Sequence, residues 1–491
     1  MDETSNKPTA AVNRRDFLTG ALGVAALVGT PALMAGQLQA ADGRAEGDVL
    51  DVIIIGGGLS GLTCARDLQR AGCEAFVVLE ANARVGGRTL NHDLGEGYFS
   101  EAGGQWIGPG QTAVANLARE LQLGTFPTYY QGETVFLAGD ARAAIDLHGT
   151  FGSDPALTSQ LDELAREVPS GAPWESPRAA ELDALSLGDW LSQHNLAPRD
   201  QVGWNPASLL SGGTTPAKMG LLHFLSMINS ANSHYEQLDS IKDSAQETRI
   251  EGGSQNLSLR LAAELGDKVR LSTPVLAIRD WDTPVVTVQT ERGLLRARRV
   301  ILAMPPSSCQ RLNFSPVLPE GRRLLQRDWP AHTPARKTAH VYPRPFWREK
   351  GLNGHILQTD GPVIWAYDNS PADGSLGVIN AFVMQAEVPA DPAQASAMLA
   401  EIYARALGDE ALQPLQFHDQ DWGREQWIFS CVSAIPPGFW TRHGKALRPP
   451  VGGLIWSGTE TAEIWAGYMD GAVRSGHNAA LQVLQSLRHS A

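Results

Sequence analysis

The chain has 491 residues, a net charge of −13, 43% hydrophobic residues and 19% charged ones. That length calls for two or more domains, and the composition excludes a disordered or fibrous chain. The acidic balance argues against a nucleic-acid partner, which needs a dense basic footprint.

The N-terminus reads as an export segment. Asn13-Arg14-Arg15-Asp16-Phe17-Leu18 opens a stretch without charge from Phe17 to Ala41, broken by Pro31 and several glycines, and it reaches a small-residue site at Leu38-Gln39-Ala40. Paired arginines before a weakly apolar run predict twin-arginine export, with residues 1–40 removed and the mature chain in the periplasm without a membrane anchor.

Asp51-Val52-Ile53-Ile54-Ile55 is a β-branched run bounded by glycines, so it predicts a strand. Gly56, Gly58 and Gly61 form GxGxxG, and Leu62, Ala65 and Leu68 follow at helical spacing. The turn, with Leu59 and Ser60, therefore sits on a helix N-terminus, where backbone N–H groups and the dipole favour a pyrophosphate. A second strand, Ala75 to Leu79, ends at Glu80-Ala81, 19 residues after Gly61. A carboxylate at that distance can accept hydrogen bonds from a ribose diol. Strand, turn, helix, strand and acid together predict a bound dinucleotide.

Arg84-Val85-Gly86-Gly87-Arg88-Thr89 places two glycines between arginines, and Glu101-Ala102-Gly103-Gly104-Gln105-Trp106 repeats a glycine pair before an aromatic. With these segments the chain resembles the flavin amine oxidase family, the monoamine and polyamine oxidase group. In that family the double-glycine stretch after the ribose acid accompanies FAD. The resemblance extends over about 50–487. It implies that the backbone at Val275 meets the adenine, and that Val300 to Pro306 closes the nucleotide segment. Trp456-Ser457-Gly458-Thr459-Glu460-Thr461 and Gly467-Tyr468-Met469-Asp470-Gly471 match the family's C-terminal motif. Its helix N-terminus would face the flavin. The segment Leu257, Leu259, Leu261 and Leu265 reads as an amphipathic helix.

The resemblance implies reaction-centre roles for three residues. Lys337, eight residues before Pro345-Phe346-Trp347, matches the lysine beside the flavin N5. Tyr468 matches one wall of an aromatic cage. The other wall departs from the family, with Val432 in place of a tyrosine, and Trp427 is the candidate to supply it. Cys431 falls where monoamine oxidases link a cysteine to FAD. Ile428, Phe429 and Ser430 replace their small run, so non-covalent FAD is expected, with a Cys431 thioether as the alternative.

The implied fold is α/β, a Rossmann-like FAD-binding domain interleaved with an α+β substrate domain. The first is expected over 48–135, 248–330 and 440–491, the second over 136–247 and 331–439. The implied reaction is FAD-dependent oxidation of a primary or secondary amine to an imine, then aldehyde or ketone, with O₂ reduced to H₂O₂. An amine dehydrogenase feeding a periplasmic cytochrome, or an L-amino-acid oxidase, is the alternative, although no arginine for a substrate carboxylate can be placed. A desaturase of the phytoene or protoporphyrinogen type conflicts with Lys337 and the Gly-Tyr-Met segment. The partners are a small amine and O₂, no metal is expected, and a homodimer is compatible with the sequence. Glycine, 50 residues against a background of about 7%, is explained in part by motifs that lie against a dinucleotide. The scattered Cys64, Cys73, Cys309 and Cys431 offer no disulfide framework.

Overall fold

The computed structural model describes residues 49–145, 154–196, 198–330, 335–428 and 431–488. The expected export segment at 1–40 and the departures at Phe429 and Ser430 lie outside the described residues.

Val49–Ile55 forms a strand with parallel neighbours on both sides, Phe76–Leu79 and Gly293–Ala303. Its Val52, Ile53 and Ile54 are buried on both faces, as a central parallel strand requires. The full sheet has eight strands. From Val269–Arg270 at one edge it passes through these three to an antiparallel meander of Gly293–Ala303, Val286–Thr290 and Val275–Arg279, ending at Asn313–Ser315. Gly293–Ala303 is long enough to hold two more partners on its other edge. Its first half pairs with Val286–Thr290 and its second, parallel, with Leu454–Ser457.

The helix Leu59–Arg70 connects the first two strands and buries Leu62, Ala65 and Leu68. The C-terminal helix Met469–Arg488 packs in the same core through Val473, Ala480 and Val483. Asp470, in its first turn, accepts from the Ala113 and Val114 N–H groups at 2.7 and 3.0 Å. It thereby caps the helix Thr112–Glu120, whose own N-cap Gln111 gives no side-chain bond. The helix Gln255–Leu265 buries Leu257, Leu261 and Leu265, but Leu259 is 45% exposed. Two residues along a helix turn a side chain about 200° away, so Leu259 cannot share the face of Leu257 and Leu261.

A second sheet of seven strands runs Gln416–Asp421, Arg336–Tyr342, Gly377–Val383, Val363–Asp368, Leu352–Gln358, Glu133–Ala138 and Ala141–Ile145. Alternation divides Arg336–Tyr342 between two faces. His340 Nε2 lies 3.2 Å from the Ser396 carbonyl on the helix Pro392–Leu407, while Ala339 and Val341 belong to the opposite cluster with Leu94. Lys337 is therefore aimed away from that helix. Asp391 starts the helix by accepting from the Gln394 N–H at 3.0 Å.

Between the sheets' segments lie helices including Pro155–Arg166, Leu187–Ser192 and Leu221–Ser230. Ser186 and Asp189 form a reciprocal capping box, both bonds at 2.9 Å. Leu161, Trp190 and Phe224 bury there against Phe439 and Trp465, so this insertion is tied to the C-terminal segment. No helix among the described residues is long and apolar enough to cross a membrane.

Candidate active site

A cavity of about 350 Å³ opens between the two sheets and the helical insertion. One end is built by backbone. The helix after the first strand begins at Leu59 with Gly58 as N-cap, no side-chain cap and no acid in its first turn. Its N–H groups and dipole are left to an anion. Gly58 has nothing nearer than 4.0 Å where a Cβ would stand, so a side chain would project into the cavity instead of clashing with protein. Gly61 is different: a Cβ there would lie 2.0 Å from the Gly56 carbonyl oxygen. It allows helix and strand to approach.

Glu80 lies beside this turn. Its carboxylate accepts from the Gly57 N–H at 2.6 Å and the Asn82 N–H at 2.8 Å. Burial pushes its pKa up, against those bonds. Each oxygen keeps a further lone pair, so a ribose diol would add donors to a carboxylate already aimed. An uncapped helix N-terminus, a Cβ-free approach at Gly58 and a buried acid beside them fit the diphosphate and ribose of FAD.

Most residues expected around a dinucleotide do line the cavity. Gly56, Gly58, Leu59, Ser60, Glu80, Ala81 and Val275 do so with Gly86, Gly87 and Arg88. Gly103, Gly104, Gln105, Trp106, Trp427, Cys431, Gly458, Tyr468 and Met469 line it as well, and Gln105 and Trp106 stand beside Lys337. Of the other expected residues, Gly61, Arg84 and Glu460 stand behind the wall and not in it. Gly61 faces backbone, as above. Arg84 Nη1 donates to the Gly87 carbonyl at 3.0 Å and Nη2 lies 3.7 Å from Glu425, bracing the double-glycine turn. Glu460 accepts from Arg88 Nη1 at 2.7 Å, so it acts through that arginine. The same nitrogen donates to the Cys431 carbonyl at 3.1 Å.

The far end is built by side chains. Lys337 Nζ donates to the Gly103 carbonyl at 3.0 Å and to Gln105 Oε1. Trp106, Tyr367 and Phe382 surround it with ring centroids at 5.5, 5.6 and 5.3 Å. Burial pulls its pKa from the ordinary lysine value down to about 7, against the pull of Glu101. Both protonation states of Nζ are therefore populated at neutral pH. Tyr468 donates its hydroxyl to the Leu238 carbonyl at 2.9 Å and meets Trp465 edge-on at 5.1 Å, which fixes its ring. Burial pushes the Cys431 thiol pKa up, which disfavours the thiolate.

Sequence reasoning missed much of this end. Leu210, Met227, Leu238, Trp365 and Phe382 line the cavity from separate helices and strands, and Gln246 adds an amide. No local motif marks them. The alternating run Val363 to Tyr367 did signal a strand, without saying which face meets the cavity.

A family model described as flavin containing amine oxidoreductase matches residues 59–484. A protein of Mycobacterium tuberculosis named as a flavin-containing monoamine oxidase is 37% identical, over 88% of this chain and 96% of its own. The putrescine oxidase of Kocuria rosea is 35% identical, over 88% of this chain and 95% of its own. The solved cyclohexylamine oxidase of Brevibacterium oxydans superposes with a TM-score of 0.83 at 30% identity, covering 90% of this chain and all of that one (100%).

Proposed function

Because the chain belongs to the flavin-containing amine oxidoreductase family and so oxidises an amine with FAD, we propose that its substrate is a monoamine with an apolar body. One observation carries this reading: among the described residues lining the cavity, the only carboxylate is Glu80, at the nucleotide end. The wall beside Tyr468 and Lys337 is Trp106, Trp365, Phe382, Leu210, Met227 and Leu238. A diamine would bury its second ammonium there without a carboxylate to pair with, at a cost of several kcal/mol.

FAD, when bound, supplies the two-electron acceptor for the amine and passes the electrons to O₂, giving H₂O₂. The Gly58 turn and Glu80 hold its diphosphate and ribose. The aromatic walls exclude water and favour the uncharged amine, whose lone pair the reaction needs. Tyr468 and Trp427 orient the amine, and Lys337 holds a proton-bearing nitrogen at the cavity wall. The FAD is read as non-covalent, supported by the raised Cys431 thiol. The two sheets are read as marking the FAD-binding and substrate domains. The reaction is placed in the periplasm, on the strength of the paired arginines at Arg14 and Arg15.

An anaerobic panel read by bleaching of the flavin's visible band tests the substrate. Phenethylamine should reduce the flavin about 100-fold more efficiently than putrescine, the scale expected for an unpaired buried charge. Faster reduction by putrescine would overturn the reading.

A further inference from the structure

Lys337 is held by a chain of side chains that begins at a buried ion pair some way from the cavity. Glu101 accepts from Arg249 Nη2 at 2.7 Å, both side chains being buried. A carboxylate in an ion pair can only accept, so Asn369 must turn its amide nitrogen toward it, and Nδ2 stands 3.0 Å from Glu101 Oε2. That leaves Asn369 Oδ1 facing Gln105, which donates Nε2 to it at 2.8 Å. Gln105 Oε1 is consequently the atom presented to Lys337, and it also accepts from the Tyr367 hydroxyl at 2.8 Å. Burial pushes the Tyr367 pKa far up, so it remains a donor. Every orientation in the chain follows from the sign of the charge at Glu101.

We propose that Gln105, oriented through Asn369 by Glu101, is a positioning residue that fixes one of the three hydrogen-bonding positions of Lys337 Nζ and, with the Gly103 carbonyl on a second, leaves the third for the cavity. The proposal rests on the reading of Lys337 as a reaction-centre group. With the Gly103 carbonyl and Gln105 Oε1 occupied, the ammonium keeps one N–H and the neutral amine keeps one lone pair. The same position then donates in one state and accepts in the other, without the side chain moving. The aromatic rings around it add no further acceptor. The other groups bearing on Nζ are Arg249, the Cys431 thiol and His92, whose pKa burial pulls down to about 4, leaving it neutral. Its partners across the neighbouring strands are Phe382 and Gln420, which carry no charge.

The FAD-loaded enzyme grown with ¹³Cε-lysine tests this, since the Cε shift follows Nζ protonation. The chain has seven lysines, and Lys337→Met assigns the resonance. The parent should titrate near 7. Gln105→Met removes an acceptor that favours the ammonium and should lower the midpoint by about one unit. Gln105→Glu places a carboxylate there and should raise it by about one unit or more. Asn369→Leu leaves both groups in place but frees the Gln105 amide to turn, and should also lower the midpoint. Midpoints in all folded variants within about 0.2 unit of the parent, against the one-unit scale of such partners, would overturn the proposal. The pH profile of flavin reoxidation by O₂ separates it from the reading beneath it. A profile that follows the resonance supports both. A resonance that moves while the profile stays leaves the clamp standing and removes Lys337 from the reaction centre.

Discussion

The two ends of the cavity are made in different ways. At the end read as the nucleotide's, backbone builds the wall: a helix N-terminus, glycines without Cβ atoms and one acid fall within 49–88, and Thr273–Val275 and Ala303–Pro305 line the same cavity. At the other end, Lys337, Tyr367 and Phe382 come from three strands, Gln105 from the connection after Tyr98–Glu101 and Tyr468 from the C-terminal segment. The first end tolerates little change in shape. The second depends on charge and on the orientation of its hydrogen bonds.

The largest effect expected from this contrast is at Gly58. A valine there enters open space without meeting protein, so the fold should survive while the dinucleotide is shut out. FAD content after purification should fall at least about 100-fold, with the far-UV spectrum unchanged, which is the scale of a lost near-contact pyrophosphate site. Retained FAD would break the assignment of the nucleotide end.

Next comes Lys337→Met. A positioned donor beside developing charge is worth about 10²–10³ in rate, so reoxidation by O₂ should slow by that order while anaerobic reduction by the amine changes by less than about threefold. Equal slowing of both half-reactions would mean that the lysine organises the whole cavity instead of one step.

The smallest is Tyr468→Phe. It keeps the ring but loses the bond to the Leu238 carbonyl, a net contribution of about 1 kcal/mol. Amine reduction of the flavin should slow by about fivefold, read in stopped flow, and a phenylalanine indistinguishable from tyrosine would leave only ring shape at this wall.

Legibility followed the same division. The Gly56–Gly61 turn, Glu80 and the strand Val49–Ile55 could be read because each depends on neighbours within one strand–turn–helix unit. Even so, Gly61 looked in sequence like Gly58, and only the distance to the Gly56 carbonyl shows that one faces backbone and the other the cavity. The partners of Arg84 and Glu460 came only with the structure for a similar reason, because a motif shows that a charged side chain is needed nearby and not which partner takes it.

The Glu101–Asn369–Gln105–Lys337 chain was not legible at all. Its members come from the hairpin Asn91–Gly95 and Tyr98–Glu101, the segment after it, the residue following Val363–Asp368 and the strand Arg336–Tyr342. Alternation within a strand says that Lys337 and Ala339 share a face, but not what that face meets.

By itself, then, the sequence determined the nucleotide end and the family, since strand period, helix start and glycine spacing are properties of a short stretch of chain. The tertiary structure alone decided the environment of Lys337. Its desolvation, its aromatic neighbours and the direction of its hydrogen bonds exist only once two sheets pack together and water is removed, because the energy of a buried charge depends on what surrounds it and not on what precedes it in the chain.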